Sequence, residues 1–150
     1  MIKLILVPTD GSELSERAAG YAIELAGQVE ASIIFLSVVD VLLPAYAFES
    51  DISFNPEIPE MTDQLTAAAT AAVNKLKQKA EAGGIKASAR VVRGNAWEEI
   101  LSEAASSGAD QIVMGSHGHR ALAAAVIGSV AINVIHGARI PVTIIPREQT

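Results

Sequence analysis

Three glycines and a serine have a spacing that can bind an anion. Gly115, Gly118 and Gly128 follow the pattern Gly-x2-Gly-x9-Gly, and Ser129 comes directly after the last glycine. Glycines let the backbone approach an anion closely and adopt positive φ angles, and successive N–H groups in such turns form anion-binding concavities. Ser129 can cap the helix that follows or donate its hydroxyl to a phosphate oxygen. The alternative is that the glycines only form tight turns, and spacing alone leaves both open.

A carboxylate follows the first apolar run of the chain. Asp10 comes after residues 2–7 and Pro8, at the point where a buried strand would end. A carboxylate in this place can accept hydrogen bonds from both hydroxyls of a ribose, as the acid of dinucleotide-binding folds does. The other interpretation of Asp10 is a turn-forming aspartate.

The histidines raise the question of a metal site. His117 and His119 are two residues apart, and His136 lies further along, towards the end of a predicted helix. A zinc site needs three or four ligands, and this His-x-His pair has neither cysteines nor a third ligand nearby. We therefore predict no metal ligands from the protein.

Strands and helices alternate along the chain. Apolar runs bounded by Gly and Pro predict strands over 2–7, 32–39, 85–92, 111–114 and 142–145, and helical periodicity predicts helices over 13–28, 61–82, 96–107 and 129–137. This order predicts an α/β fold, a parallel sheet with helices on both faces. Ligands of such sheets lie beyond the carboxyl ends of the strands. Residues 40–60 are predicted to be a long irregular connection, and 121–125 a short apolar helix.

Composition limits the classes of function. The 150 residues are predicted to form one domain, 1–150. The chain has no cysteine, which excludes disulfides and thiolate sites, and its net charge of −6 argues against nucleic acid or an anionic membrane as partner. No targeting segment and no run of about 20 apolar residues is present, so we expect a cytoplasmic protein.

Several enzyme motifs are missing from the sequence. It contains no P-loop, no Gly-x-Gly-x-x-Gly after a strand and no Gly-x-Ser-x-Gly elbow. A phospho-receiver domain needs an aspartate at the end of its third strand, and here the third predicted strand ends in Val92-Arg93-Gly94. These observations argue against the corresponding enzyme and receiver classes.

Four separate motifs resemble the universal stress protein family. The glycine pattern, preceded by Val113-Met114, closely resembles that family's nucleotide-binding signature. The other three matching segments are the first strand and turn, the end of the second strand and the last strand, which here read Ile5–Ser12, Leu36–Asp40 and Pro141–Pro146. The motifs come in the family's order and cover nearly the whole chain.

The resemblance implies a fold and a site. The fold is an open five-stranded parallel sheet of order 3-2-1-4-5, Rossmann-like and adenine nucleotide alpha hydrolase-like. Asp10 would hold the ribose, and the backbone of Val38 would meet the adenine edge. The residues implied around an adenosine nucleotide are Pro8, Thr9, Asp10, Val38, Met114, Gly115, Gly118, His119, Gly128, Ser129 and Val130. Arg120 stands where the family often has a small residue, and it can face the phosphates or be solvated.

The resemblance also implies a function, with alternatives left open. Members that keep the complete glycine signature bind ATP, so we expect an ATP-binding regulatory module with Mg²⁺ or Mn²⁺ on the phosphates and an unknown protein partner. A slow ATPase or phosphotransfer enzyme is the first alternative, with Asp10, His117 and His119 as candidate groups, and a nucleotide-free structural dimer is the second. Residues 142–145 are expected to form a sheet edge that pairs with a second copy, and Thr143→Pro to weaken that pairing.

Overall fold

A computed structural model of the chain describes residues 1–40, 57–118 and 127–148. Within these ranges five strands alternate with four helices. In chain order they are β1 (Leu4–Pro8), α1 (Glu13–Val29), β2 (Ser32–Asp40), α2 (Glu57–Ala82), β3 (Ala87–Gly94), α3 (Ala96–Ser107), β4 (Gln111–Gly115), α4 (Ser129–Gly137) and β5 (Val142–Ile145).

The sheet is parallel throughout, in the order β3-β2-β1-β4-β5. Pro8 of β1 pairs with Leu36 of β2, and Leu6 pairs with Ile112 of β4. The predicted order 3-2-1-4-5 is therefore confirmed. From β1 the chain builds outwards to β2 and β3 on one side and then to β4 and β5 on the other. The strand order reverses between β1 and β4, and a crevice opens there beyond the carboxyl ends.

Two apolar cores cover the two faces of the sheet. On one face α1 and α2 pack against Ile5, Val7 and Phe35, and on the other α3 and α4 pack against Leu6 and Ile112. These five side chains are at most 1% exposed, and burying each contributes about 1.5–3 kcal/mol. Because β1 is buried on both faces, its sequence is a continuous apolar run rather than an alternating one.

The start of α2 corrects one sequence prediction. The sequence predicts an irregular connection over residues 40–60, but residues 57–60 already belong to α2 and Asp40 is the last residue of β2. Pro59 lies in the first turn of α2, where a missing N–H leaves no helical hydrogen bond unmade. Residues 41–56 and the helix predicted over 121–125 lie outside the described residues.

The start of β3 corrects a second sequence prediction. The strand predicted over 85–92 begins at Ala87 and ends at Gly94. Gly84 has a φ of +80°, and the N–H of Ile85 donates to the carbonyl of Ala80 at 3.0 Å. Ile85 thus completes the end of α2, as the residue after a left-handed glycine does in helix termination.

The length and hydropathy of the described helices bear on membrane spanning. None of the helices in these ranges is both long enough and apolar enough to cross a bilayer.

Candidate functional site

A cleft lies at the carboxyl edge of the sheet, beside the ends of β1 and β4, with a volume of about 140 Å³. Ten of the twelve residues predicted for the site line this one cleft. They are Pro8, Thr9, Asp10, Val38, Met114, Gly115, Gly118, Gly128, Ser129 and Val130. His119 and Arg120 lie outside the described residues, and so their predicted places beside the phosphates stay predictions.

The cleft has further lining residues outside the twelve predicted for the nucleotide site. Ala96 and Ile100 come from the first turns of α3, and the remaining ones are Ser15, Leu36, Ser116, His117 and Ala131. Ser116 and His117 stand inside the glycine pattern, so that motif pointed to their position. Nothing in the sequence pointed to Ala96, because its place in the cleft depends on how α3 crosses back over the sheet.

The turn after β1 directs Asp10 towards the glycine pattern. Asp10 Oδ1 accepts a hydrogen bond from the N–H of Ser12 at 3.0 Å. On the other side of this carboxylate, a methyl group added to Gly118 would lie 2.6 Å from Oδ2. The turn after β1 and the turn after β4 therefore touch, and only a residue without a side chain at position 118 leaves the carboxylate in place.

The described glycines of the motif do not have positive φ angles. The described glycines with positive φ are Gly11, Gly84, Gly94 and Gly108, and none of these belongs to the motif. Gly128 has a φ of −75°. The expectation that the motif needs positive φ angles is therefore wrong for the described backbone, and close approach explains Gly118 instead.

Gly115 permits a second close approach, this time between helix and sheet. A methyl group at Gly115 would lie 3.0 Å from Cγ of Leu14, a residue in the first turn of α1. The missing side chain lets α1 pack closely over the end of β4. This contact fixes the polar start of α1 beside the cleft.

The main chain of Val38 faces the gap beyond the end of β1. The carbonyl of Leu36 accepts from the N–H of Thr9 at 2.8 Å, on the β1 side of β2. Backbone groups alternate sides along a strand, so those of Val38, two residues later, face the same way. The last β1 residue in the ladder, Pro8, pairs with Leu36, and Val38 lies beyond it. One donor and one acceptor of Val38 thus point at the cleft.

Gly115 borders the same gap from the opposite strand. The N–H of Ser116 donates to the carbonyl of Ile145 at 2.9 Å, towards β5. By the same alternation the backbone groups of Gly115 point towards the β1 side. The end of β1 is therefore flanked on both sides by backbone groups that can meet a ligand.

The start of α4 differs from the starts of α1 and α3. Ser12 caps α1 by accepting from Ser15 N, and Asn95 caps α3 by accepting from Glu98 N. The cap of α4 is Gly128, which has no side-chain acceptor, and Ser129 is the first helical residue rather than a cap. The first-turn amides of α4, beginning at Ser129, lie at the cleft without a capping side chain from Gly128, at the positive end of the helix dipole.

Hydrogen bonds, most of them between buried groups, hold the walls of the cleft. Thr9 Oγ1 lies 2.9 Å from Ser15 Oγ and accepts from the N–H of Gly11 at 3.3 Å. Ser116 Oγ lies 2.6 Å from Nδ1 of His117, and the Ser116 carbonyl accepts from the N–H of Gly128 at 2.7 Å. The Thr9 hydroxyl thus belongs to the turn, and Ser116 ties β4 to the start of α4.

The described lining of the cleft carries a carboxylate and no side-chain cation of lysine or arginine. The carboxylate is that of Asp10. The described residues hold no group of three or more His, Asp or Glu side chains arranged for a metal ion. Anion binding in this part of the cleft falls to amides and hydroxyls, and a divalent ion would depend on ligands carried by the anion itself.

Apolar and polar residues line different parts of the cleft. Leu36, Ile100 and Met114 belong to the core on the α3 and α4 face, whereas Thr9 and Asp10 lie in the turn after β1 and Ser15 lies in the first turn of α1. A ligand with a flat apolar ring, a sugar diol and an anionic end would match this division.

The sequence also matches known proteins over most of its length. The model of the universal stress protein family matches residues 1–146. A universal stress protein of Methanocaldococcus jannaschii, MJ0531, is 33% identical over 147 residues, covering 98% of this chain and 84% of that protein.

The structure matches solved structures in the same way. That of MJ0577 from the same organism superposes with a TM-score of 0.86 at 32% identity, covering 100% of this chain and 99% of that one. A universal stress protein family protein from Arabidopsis thaliana, solved with AMP bound, has a TM-score of 0.69 at 19% identity, covering 97% of this chain and 92% of that one. At this identity the second match shows the fold alone.

Proposed function

Because the chain belongs to the universal stress protein family, we propose that it is an ATP-binding regulatory module, whose nucleotide-bound state is recognised by a partner protein in a stress response. Binding rather than turnover is the proposed function. Turnover is the alternative, because a hydrolase needs a group that positions water at the γ-phosphate. Besides Asp10, which we assign to the ribose, the described lining offers His117, whose Nδ1 atom lies 2.6 Å from Ser116 Oγ.

One observation carries the proposal: three kinds of ligand-binding group face a single cleft. They are the main chain of Val38, the carboxylate of Asp10 and the first-turn amides of α4. In the proposed complex the N–H and C=O of Val38 pair with the adenine edge, Asp10 accepts from the ribose hydroxyls, and the amides bind the phosphates. Val38 lies on β2, Asp10 follows β1 and α4 follows β4, and these strands are neighbours in the order β2-β1-β4, which matches the order of base, sugar and phosphate in a nucleotide.

A nucleotide-bound relative supports the choice of ligand. The Arabidopsis thaliana protein was solved with AMP bound, and it shares this fold. We propose adenosine-nucleotide binding for this chain because its own cleft contains groups that can bind the base, the ribose and the phosphates.

We also propose that Mg²⁺ or Mn²⁺ accompanies ATP. The ion would be held mainly by phosphate oxygens and water, which is how Mg²⁺ usually accompanies nucleotides in proteins. Because the described lining contributes a carboxylate and no lysine or arginine, the ion would offset the phosphate charge. ATP affinity should then fall in EDTA far more than AMP affinity.

The proposed assembly is a homodimer through the open edge of β5. Pro141 and Ile145 accept from β4, so the backbone groups of Val142 and Ile144 face outwards. At the other edge of the sheet, β3 carries the exposed cations Arg90 and Arg93, a common defence against edge pairing. The uncharged edge of β5 is the better one for antiparallel pairing with a second copy.

The experiment for the proposed function is native mass spectrometry followed by calorimetry. The purified protein is expected to carry an adenosine nucleotide or, after its removal, to bind ATP with Mg²⁺. Absence of binding to ATP, ADP and AMP would favour the structural dimer. Hydrolysis of labelled ATP well above the uncatalysed rate, lost in His119→Ala or in His117→Ala, would favour the enzyme instead.

A further inference from the structure

Resting on the proposed nucleotide binding, we propose that Ala96 determines the size of the base that the cleft accepts. Ala96 is the first residue of α3, and it lines the cleft together with Ile100, which lies one turn further along the same helix and therefore on the same helix face. The cleft residues of this region, among them Val38 and Met114, are apolar. This is the region that suits a planar base.

The position of Ala96 is fixed by its neighbours. Asn95 caps α3 by accepting from the N–H of Glu98 at 3.3 Å, and the side chain of Glu99 packs over Gly94, where an added methyl group would lie 2.7 Å from its Cγ atom. Ile100 is 2% exposed and belongs to the core. Since the start of α3 is held on both sides of Ala96, a larger side chain at 96 has to occupy the cleft rather than move the helix.

Alanine is a small member of this apolar wall, so it leaves the space that a two-ring purine needs. A change of one methylene group in an apolar pocket alters discrimination by about 10–200-fold. A larger residue at 96 should therefore penalise adenine more than the one-ring base cytosine. Phosphate and ribose binding, at Asp10 and the start of α4, should stay intact.

The test is a size series at position 96 with a control on the same helix. Ala96→Val and Ala96→Leu are compared with Ala105→Leu, which makes the same substitution at an exposed position of α3. AMP and CMP affinities are measured by competition calorimetry, and thermal melting verifies folding. If Leu at 96 prevents folding, the smaller Val variant still reports on the cleft.

We expect AMP affinity to fall gradually, by about tenfold or more for Ala96→Leu, while the ratio of AMP to CMP affinity falls and Ala105→Leu matches the wild type. Unchanged AMP affinity in folded variants at 96, or equal losses for AMP and CMP, would overturn the role of Ala96. Failure of the wild type to bind AMP or ATP would instead overturn the proposed function itself, and this inference with it.

Discussion

The carboxylate of Asp10 occupies the space that a side chain at Gly118 would need, because a methyl group on Gly118 would lie 2.6 Å from Oδ2. This contact joins two turns that are more than a hundred residues apart in the chain. It explains why position 118 is a glycine: a side chain there would displace the acid that we propose to bind the ribose.

Gly118→Ala should therefore weaken nucleotide binding by displacing Asp10. Asp10→Ala should cost about 1–3 kcal/mol of binding free energy, the range for truncating a hydrogen bond to a charged group, and Gly118→Ala a similar amount. Because both changes remove one interaction, the double variant should bind little worse than either single variant. Calorimetry measures the ATP affinity of the two single variants and of the double variant.

A matched control comes from α1. Gly20 is helical, and an added methyl group there meets no atom of the described residues within 4 Å, so Gly20→Ala should leave binding unchanged and raise stability by about 0.5–1 kcal/mol. Additive losses from the Asp10 and Gly118 variants would show that the contact between them does not matter for binding.

A side-chain cap on α4 should separate stability from binding. In Gly128→Asp, the new carboxylate can cap the first turn of α4, whose cap residue already has the extended backbone of a capping position (φ −75°, ψ 156°). The nucleotide-free protein should gain a few tenths of a kcal/mol, while ATP binding should weaken at least about tenfold through competition and charge repulsion. Thermal melting and calorimetry measure the two effects, and undiminished ATP affinity in a folded variant would rule out phosphate binding at this helix end.

Proline at Val142 should break the proposed dimer without unfolding the protein. The N–H of Val142 faces the open edge of β5, so its loss removes a hydrogen bond only to a second copy. Thr143→Pro, suggested by the sequence, would be the wrong variant for this purpose, because Thr143 faces β4 and its loss would damage the sheet. We expect Val142→Pro to be monomeric by light scattering with a nearly unchanged melting temperature, and Thr143→Pro to melt lower. A dimer that survives Val142→Pro would mean that β5 is not the interface.

Asp110 should make stability depend on pH. Its Oδ2 atom accepts from the N–H groups of Lys3 and Leu4 at 2.8 and 3.0 Å, and these hydrogen bonds hold the pKa of Asp110 below its usual value. A depressed pKa in the folded state stabilises the protein above the unfolded pKa of about 3.9, and the contribution disappears as the pH falls through the folded pKa. Asp110→Asn should therefore be less stable than the wild type at pH 7.

The difference in unfolding free energy between the wild type and Asp110→Asn should become smaller as the pH falls below about 4. Urea unfolding at several pH values measures it. A stability difference that stays constant from neutral to strongly acidic pH would show that the charge on Asp110 does not contribute.

The sequence determined the order of the elements and the chemistry of the site. Apolar runs and helical periods depend on neighbours along the chain, so the alternation of strands and helices could be predicted, and with it the edge where Asp10 and the glycines would meet. Local signals also conflicted in places. Pro59 suggested a loop although it stands in the first turn of α2, and Ile85 suggested a strand although it completes the end of that helix.

Only the tertiary structure decided why particular residues occupy the site. The contact of Gly118 with Asp10, that of Gly115 with Leu14 and the place of Ala96 in the cleft all join segments that are distant in sequence. Likewise, the direction of the Val38 main chain follows from the strand register, which pairing sets. A sequence pattern gives the period of an element, but close approach between elements depends on how they pack, and packing is a property of the whole fold.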